Sequence, residues 1–234
     1  MWPSLWQFGE TELAALQLSL SVALRAVALN LIPAMLVAWL LTRRRFPGRT
    51  LFDAVVHLPL VMPPVVIGYL LLLLLGTRGP LGGWFDRHFG LQFTFSTLGA
   101  AVATAVMSFP LMVRSIRLSL ENVDRGLEEA ARTLGAGAWR RFGTITLPLM
   151  LPGVLAGAVT AFAAGLGEFG AVITFVSNIP GETRTLPLAL YTALQSPDGD
   201  ATAARLALLS FSLGLAGLLA AELLARALRR RLGR

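Results

Sequence analysis

Residues 58–76 read LPLVMPPVVIGYLLLLLLG, from Leu58 to Gly76, without one charged side chain. A helix needs roughly 20 apolar residues to cross about 30 Å of hydrocarbon, and this stretch approaches that length. A second run, Leu206–Leu224, reads LALLSFSLGLAGLLAAELL and is interrupted only by Glu222. Neither alternates apolar and polar residues as a barrel strand does, so both are helical. The rest of the chain agrees. Of 234 residues, 55% are hydrophobic and only 14% charged, with a mean hydropathy of +0.69. So little charge cannot cover a soluble domain of this size, and the apolar excess requires lipid as its solvent.

Five apolar segments emerge, approximately 13–41, 54–76, 94–116, 146–168 and 201–225, within a single transmembrane domain over 1–234. The fold class is therefore all-α membrane protein with about five transmembrane helices. Arginine placement orients it. Arg43, Arg44, Arg45 and Arg49 follow the first segment, and Arg114, Arg117, Arg125, Arg132, Arg140 and Arg141 lie at or between the third and fourth. Arg226, Arg229, Arg230, Arg231 and Arg234 close the chain, whereas only Arg78, Arg87 and Arg184 fall in loops on the other side. The positive-inside rule places the N-terminus outside and the C-terminus in the cytoplasm. The net charge of +7 is thus a topology signal and not a nucleic-acid footprint. Arg25 sits inside the first segment, and a charge at the bilayer centre is costly. The expected crossing is accordingly 20–41, with Arg25 snorkelling outward and residues 10–20 near the outer interface. The length of this segment, its lack of a basic leader and the arginines after it argue against a cleaved signal peptide.

Residue absences exclude several chemistries. There is no cysteine, hence no disulfide framework, and all twenty basic residues are arginine. Without lysine the chain cannot form a Walker A loop, so it is not itself a P-loop ATPase. Two histidines, His57 and His88, are too scattered for a metal centre, and Asp53 with His57 makes only one i, i+4 pair. Proline recurs inside the apolar segments at Pro33, Pro59, Pro63, Pro64, Pro110 and Pro152, where each removes a backbone donor and bends a helix.

The longest cytoplasmic connection, 117–145, is no passive linker. Over Ser119–Leu134 the residues Leu120, Val123, Leu127, Ala130, Ala131 and Leu134 share one helical face, bordered by charges. Gly135 and Gly137 stop this helix, and a second short segment, Trp139–Leu147, leads into Pro148. Glu129-Ala130-Ala131, three residues, Gly135, nine residues, Ile145, one residue and Leu147-Pro148 together resemble the complete EAA loop of ABC importer permeases.

The likeness extends over nearly the whole chain. His57-Leu58-Pro59-Leu60, Pro63-Pro64-Val65-Val66, Gly68-Tyr69-Leu70-Leu71 and the stretch from Met107 to Arg114 resemble the molybdate-type permeases, as does the run from Gly167-Glu168-Phe169-Gly170 to Thr185. That resemblance implies a permease subunit of the bacterial inner membrane that imports molybdate or tungstate. It implies three partners: a second permease copy in a homodimer, ATP-binding-cassette ATPase subunits that carry ATP and Mg, and an extracytoplasmic oxyanion-binding protein. The chain itself is expected to bind no cofactor. The EAA loop is expected to dock on the ATPase. A permease for sulfate, thiosulfate or another oxyanion would share these features, whereas a secondary transporter or channel would not need an EAA loop.

Glu168 lies at the outer end of the fourth segment among Gly165, Gly167 and Gly170. An ionisable residue at membrane depth is a functional candidate, but a carboxylate repels a dianion. Glu168 is therefore expected to gate or pack through a hydrogen bond; the plain alternative is an interfacial helix-end residue. Beyond it, Ser177, Asn178, Thr183 and Arg184 offer hydroxyl, amide and guanidinium donors suited to an oxyanion. The same loop could contact the binding protein, and Glu182 with Arg184 could form a local pair.

Overall fold

A computed structural model describes residues 9–231, so the predicted contribution of Arg234 lies outside the described residues. Every regular element among them is helical. Helix α1 (Glu10–Arg43) is followed by α2 (Arg49–His57), a 3-10 turn (Leu58–Leu60), α3 (Pro64–Leu75) and α4 (Gly82–Phe89). Then come α5 (Thr97–Glu121), α6 (Arg125–Thr133), α7 (Ala138–Arg141), a π-helical segment (Phe142–Thr146) and α8 (Leu147–Leu166). Helices α9 (Gly170–Val176), α10 (Leu186–Leu194) and α11 (Asp200–Arg231) complete the fold.

Four stretches are long and apolar enough to span a membrane: α1, α5, the continuous run Ala138–Leu166, and Asp200–Ala220 within α11. The second expected segment is present but sharply bent. Residues 54–76 do not form one straight helix; between Arg49–Leu60 and Pro64–Leu75 the axis bends by 111°. Pro63 and Pro64 lack the amide hydrogens that would continue the ladder, and Pro64 starts the second limb, where a proline costs least. Counting the bent pair once gives five traverses, which alternate in direction. Asn30 of α1 meets Ala105 and Ser108, and Arg43 meets Val123, so α1 and α5 run parallel. Asp53 of α2 lies beside Arg117 at the arginine-rich end, whereas α3 reaches the opposite end. Ser119 contacts Leu149, while α8 ends near the other side, so α8 runs back; α11 starts there beside Glu12.

The bundle centre is lined by small side chains. Ala26, Ala34, Ala38, Ala100, Ala101 and Ala103 are fully buried. Lipid is as apolar as leucine, so helix association in a membrane relies on such close packing and on interhelical hydrogen bonds. Asn30 supplies the latter: its amide donates to the Ala105 carbonyl at 2.8 Å and to Ser108 Oγ at 3.2 Å.

The expected crossing at 20–41 lies within one longer helix: residues 10–20 continue α1, whose 34 residues span roughly 51 Å and so outreach about 30 Å of hydrocarbon. Ala15 and Ser19 are buried there, with Ser19 Oγ accepting from the Leu186 amide at 2.7 Å; Arg25 is exposed, pointing away from the bundle. The expected single helix Ser119–Leu134 is broken. α5 ends at Glu121 and α6 starts afresh, because the Asp124 carboxylate accepts from the Gly126 amide at 2.8 Å and caps the new helix.

Candidate functional site

The sequence-selected residues fall into two groups at opposite ends of the bundle. At the arginine-rich end, α6 is capped at its start by Asp124 and closed at its end by Gly135, which adopts φ +80° as its place in the turn requires. The Gly135 amide donates to the Arg132 carbonyl at 3.0 Å and the Ala136 amide to the Ala131 carbonyl at 2.9 Å. This is the Schellman arrangement, which satisfies carbonyls that a helix end would otherwise leave open. Arg141 then donates to the Ala136 carbonyl at 3.1 Å, fixing α7 against the turn.

This geometry leaves an apolar surface facing outward. Glu129 and Ala130 are exposed, as are Leu127 on α6 and Pro148 at the start of α8; Ala131, Ile145 and Leu147 are half-buried. Leu134 is 87% exposed and Trp139 88% exposed. Flanked by Arg132 and Arg140, these two side chains make the turn an exposed apolar surface bordered by cations. Of the expected apolar face only Leu120 and Val123 turn inward.

Sequence reasoning missed the residue that anchors this loop to the spans. Glu128 Oε1 accepts from Thr146 Oγ1 at 2.7 Å and from the Arg43 guanidinium at 3.3 Å. The same Arg43 nitrogen donates to the Val123 carbonyl at 3.4 Å. Nearby, Asp53 binds Arg117 at 2.8 Å, Arg117 binds Glu121 at 2.9 Å, and His57 lies against Asp53. His57 thus belongs to an ionic cluster between α2 and α5.

At the opposite end α8 stops at Leu166, and Glu168 lies in the short connection before α9. Its Oε1 accepts from the Ala171 amide at 2.9 Å, satisfying a donor in the first turn of α9, where a carboxylate also complements the helix dipole. α9 packs tightly on α3. A methyl placed on Gly68 would stand 2.6 Å from the Ala171 carbonyl oxygen, and one on Gly170 would stand 2.8 Å from Pro64 Cβ. These glycines let the upper limb of the bent pair lie directly on α9.

The outer loop uses most of its donors internally. Thr183 is fully buried; its hydroxyl donates to the Ser177 carbonyl at 3.0 Å and accepts from the Ile179 amide at 2.9 Å. Asn178 Oδ1 accepts from Arg184 Nε at 2.9 Å, and its amide donates to Thr192 Oγ1 at 2.8 Å. The local pair of Arg184 with Glu182 does not form; Arg184 is committed to Asn178, while the Glu182 carbonyl accepts from Thr97 Oγ1 at 2.8 Å. Ser177 is exposed at φ +66°. The structure therefore joins Asn178, Thr183 and Arg184 into one stitched loop, with the terminal guanidinium nitrogens of Arg184 still available.

A second missed feature is a buried ion pair at this end. Arg205 of α11 binds Glu12 of α1 at 2.7 Å, and the Glu12 side chain is 2% exposed. Two lone charges of opposite sign, at the outer ends of two apolar segments, were the available signal.

The model of the family described as "Binding-protein-dependent transport system inner membrane component" matches residues 30–230. The chain is 59% identical over 225 residues to the Molybdenum transport system permease protein ModB of Escherichia coli K12, covering 96% of this chain and 98% of that one. Against the Sulfate transport system permease protein CysT of the same organism the identity is 39% over 205 residues, or 87% of this chain and 74% of that one. The fold resembles a chain of a bacterial alginate ABC transporter solved in complex with its alginate pentasaccharide-bound periplasmic protein. The TM-score is 0.73 at 19% identity, with 98% of this chain and 81% of that chain covered.

Proposed function

Since the chain belongs to the family of binding-protein-dependent transport system inner membrane components, we propose that it is the membrane-spanning subunit of an ATP-driven molybdate importer. It is a multi-pass protein of the cytoplasmic membrane, and its relatives are permeases. The observation that carries the cargo assignment is the near-full-length identity of 59% to a molybdenum permease, against 39% over a shorter span to a sulfate permease. Tungstate, a tetrahedral dianion like molybdate, would share the path.

In this reading the exposed surface around Glu129, Ala130, Leu134, Gly135 and Trp139 docks on an ATP-binding subunit, which holds ATP and Mg and performs hydrolysis. The absence of a Walker A lysine leaves that chemistry to the partner. An extracytoplasmic binding protein delivers the anion to the other end, where the stitched loop from Ser177 to Thr185 presents the free guanidinium nitrogens of Arg184. Two copies of the chain enclose the path between them. Closure of the ATPase pair would displace the α6–α7 turns and reorient the spans, including the 111° bend, so that access alternates between the two sides. The chain contributes the pathway and Glu168 holds α9 in register; the free energy comes from the partner.

The test is reconstitution of the permease, its ATP-binding subunit and the binding protein in liposomes. Molybdate uptake should require internal ATP, should be competed by tungstate, and should resist an excess of sulfate. Uptake driven by an ion gradient without ATP would overturn the importer reading. Equal competition by sulfate would overturn the cargo assignment alone.

A further inference from the structure

We propose that Glu128, and not its motif neighbour Glu129, is the positioning residue that carries displacement of α6 into the membrane spans. The inference rests on the coupling role proposed above for the loop, but it assigns the two adjacent carboxylates opposite tasks. On a helix, consecutive residues point about 100° apart, so one can face a partner while the other faces its own chain. Glu129 is exposed and faces outward. The Glu128 side chain is 25% exposed, and its Oε1 is shared by two donors from two different spans. One is Arg43, in the last turn of α1 and itself only 10% exposed. The other is Thr146, 4% exposed and the final residue of the π-helical segment that feeds α8.

Both connections lie where a small push has leverage. Arg43 also grips the Val123 carbonyl at 3.4 Å, just before the Asp124 cap, so α6 is held to α1 at its entry and at its fourth residue. Thr146 sits at the π-to-α boundary, where the Leu147 amide still bonds back to Phe142. Here the ladder changes from i→i−5 to i→i−4 bonding, and such π-bulges inside α-helices recur at functional sites. Motion of α6 pulls on α1 through an ion pair and on α8 through a short hydroxyl–carboxylate bond. No other α6 side chain bridges to a span among the described residues.

The caps of α6 do not involve Glu128: Asp124 closes one end and Gly135 the other. Removing the carboxylate should therefore leave the docking surface folded while severing it from the spans. The experiment compares Glu128→Ala, Glu128→Gln and Thr146→Val in the assembled importer, reading partner co-purification and the number of ATP molecules hydrolysed per anion transported. Glu128→Ala should keep its ATP-binding subunit and raise that ratio at least tenfold. Glu128→Gln, which can still accept from Thr146, should fall between it and the native protein. Thr146→Val, nearly isosteric, should uncouple in the same direction, and adding it to Glu128→Ala should change nothing further. A Glu128→Ala protein that transports with native stoichiometry would overturn the proposal. So would loss of partner binding equal to that caused by disrupting the Gly135 turn, because Glu128 would then belong to the docking surface. Failure of the native chain to bind any ATP-binding subunit would instead remove the coupling reading on which the proposal stands.

Discussion

Gly135→Val tests the docking surface most directly. Gly135 is at φ +80°, and a Cβ built there meets nothing within 4 Å, so the substitution is a purely conformational perturbation with no steric clash. A non-glycine residue held in this region costs on the order of 1–3 kcal/mol, with β-branched residues at the upper end. The escape is no cheaper. Leaving the left-handed region abandons the Gly135–Arg132 and Ala136–Ala131 hydrogen bonds, at about 1 kcal/mol each. Either way the native turn loses about 2 kcal/mol relative to its alternatives, which is roughly a 30-fold loss of docking-competent loop. The apparent affinity for the ATP-binding subunit falls by the same factor. Gly137 provides the control two residues away. Its φ of −63° and ψ of 163° suit any residue, and its surroundings are equally open, so Gly137→Val should alter affinity by about twofold or less. The assay is titration of the purified ATP-binding subunit onto the permease in nanodiscs, followed by anion-stimulated hydrolysis in liposomes. Insertion of the spans should be native in both variants. Native affinity in Gly135→Val, or equal losses in the two variants, would refute the conformational argument.

Other consequences are equally open to measurement. Reporter fusions after Arg45 and Gly135 should face the cytoplasm and one after Asp198 the outside; a cytoplasmic signal at Asp198 would contradict the alternation of five traverses. Arg205→Ala strands the buried Glu12 carboxylate, so thermal unfolding in detergent should register a loss of about 3–5 kcal/mol, with Glu12→Leu/Arg205→Leu recovering most of it. An undiminished midpoint in the single variant would mean that the pair is solvated. Gly68→Val drives side-chain atoms into the Ala171 carbonyl and Thr174, at a cost of about 1–3 kcal/mol, and should abolish uptake by parting α3 from α9; native transport would show that this contact is not needed. Arg184→Ala should weaken uptake most at low anion concentration, and Arg184→Lys should recover only part, because the planar Nε donor to Asn178 is lost. Equal uptake by all three proteins would exclude Arg184 from the path.

The share of this protein that sequence alone determined is the share governed by composition and spacing along the chain. Runs such as Leu58–Gly76 must leave water whatever they pack against, and arginine asymmetry acts on each loop as it meets the membrane, so helical class and span number were legible. The turn at Gly135 was legible too, because a left-handed cap after an amphipathic stretch is a local requirement. What tertiary structure decided is everything that depends on which face meets which neighbour. The prolines of residues 59–64 announced a bend but not its 111° angle, which the seating of Gly68 on α9 accompanies. The hydroxyls, amide and guanidinium of 177–185 suggested donors for an oxyanion or a contact for the binding protein. Thr183 and Asn178 instead spend theirs within the loop, because a buried turn must satisfy its own backbone. Adjacent glutamates at 128 and 129 are indistinguishable in a line of letters. Only the arrival of Arg43, 85 residues away, and Thr146, 18 residues away, turns one of them inward. Likewise Glu12 and Arg205 are 193 residues apart and find each other only because α1 and α11 begin at the same end of the bundle. Hydropathy is a property of a segment, whereas partnership between buried polar groups is a property of the closed bundle.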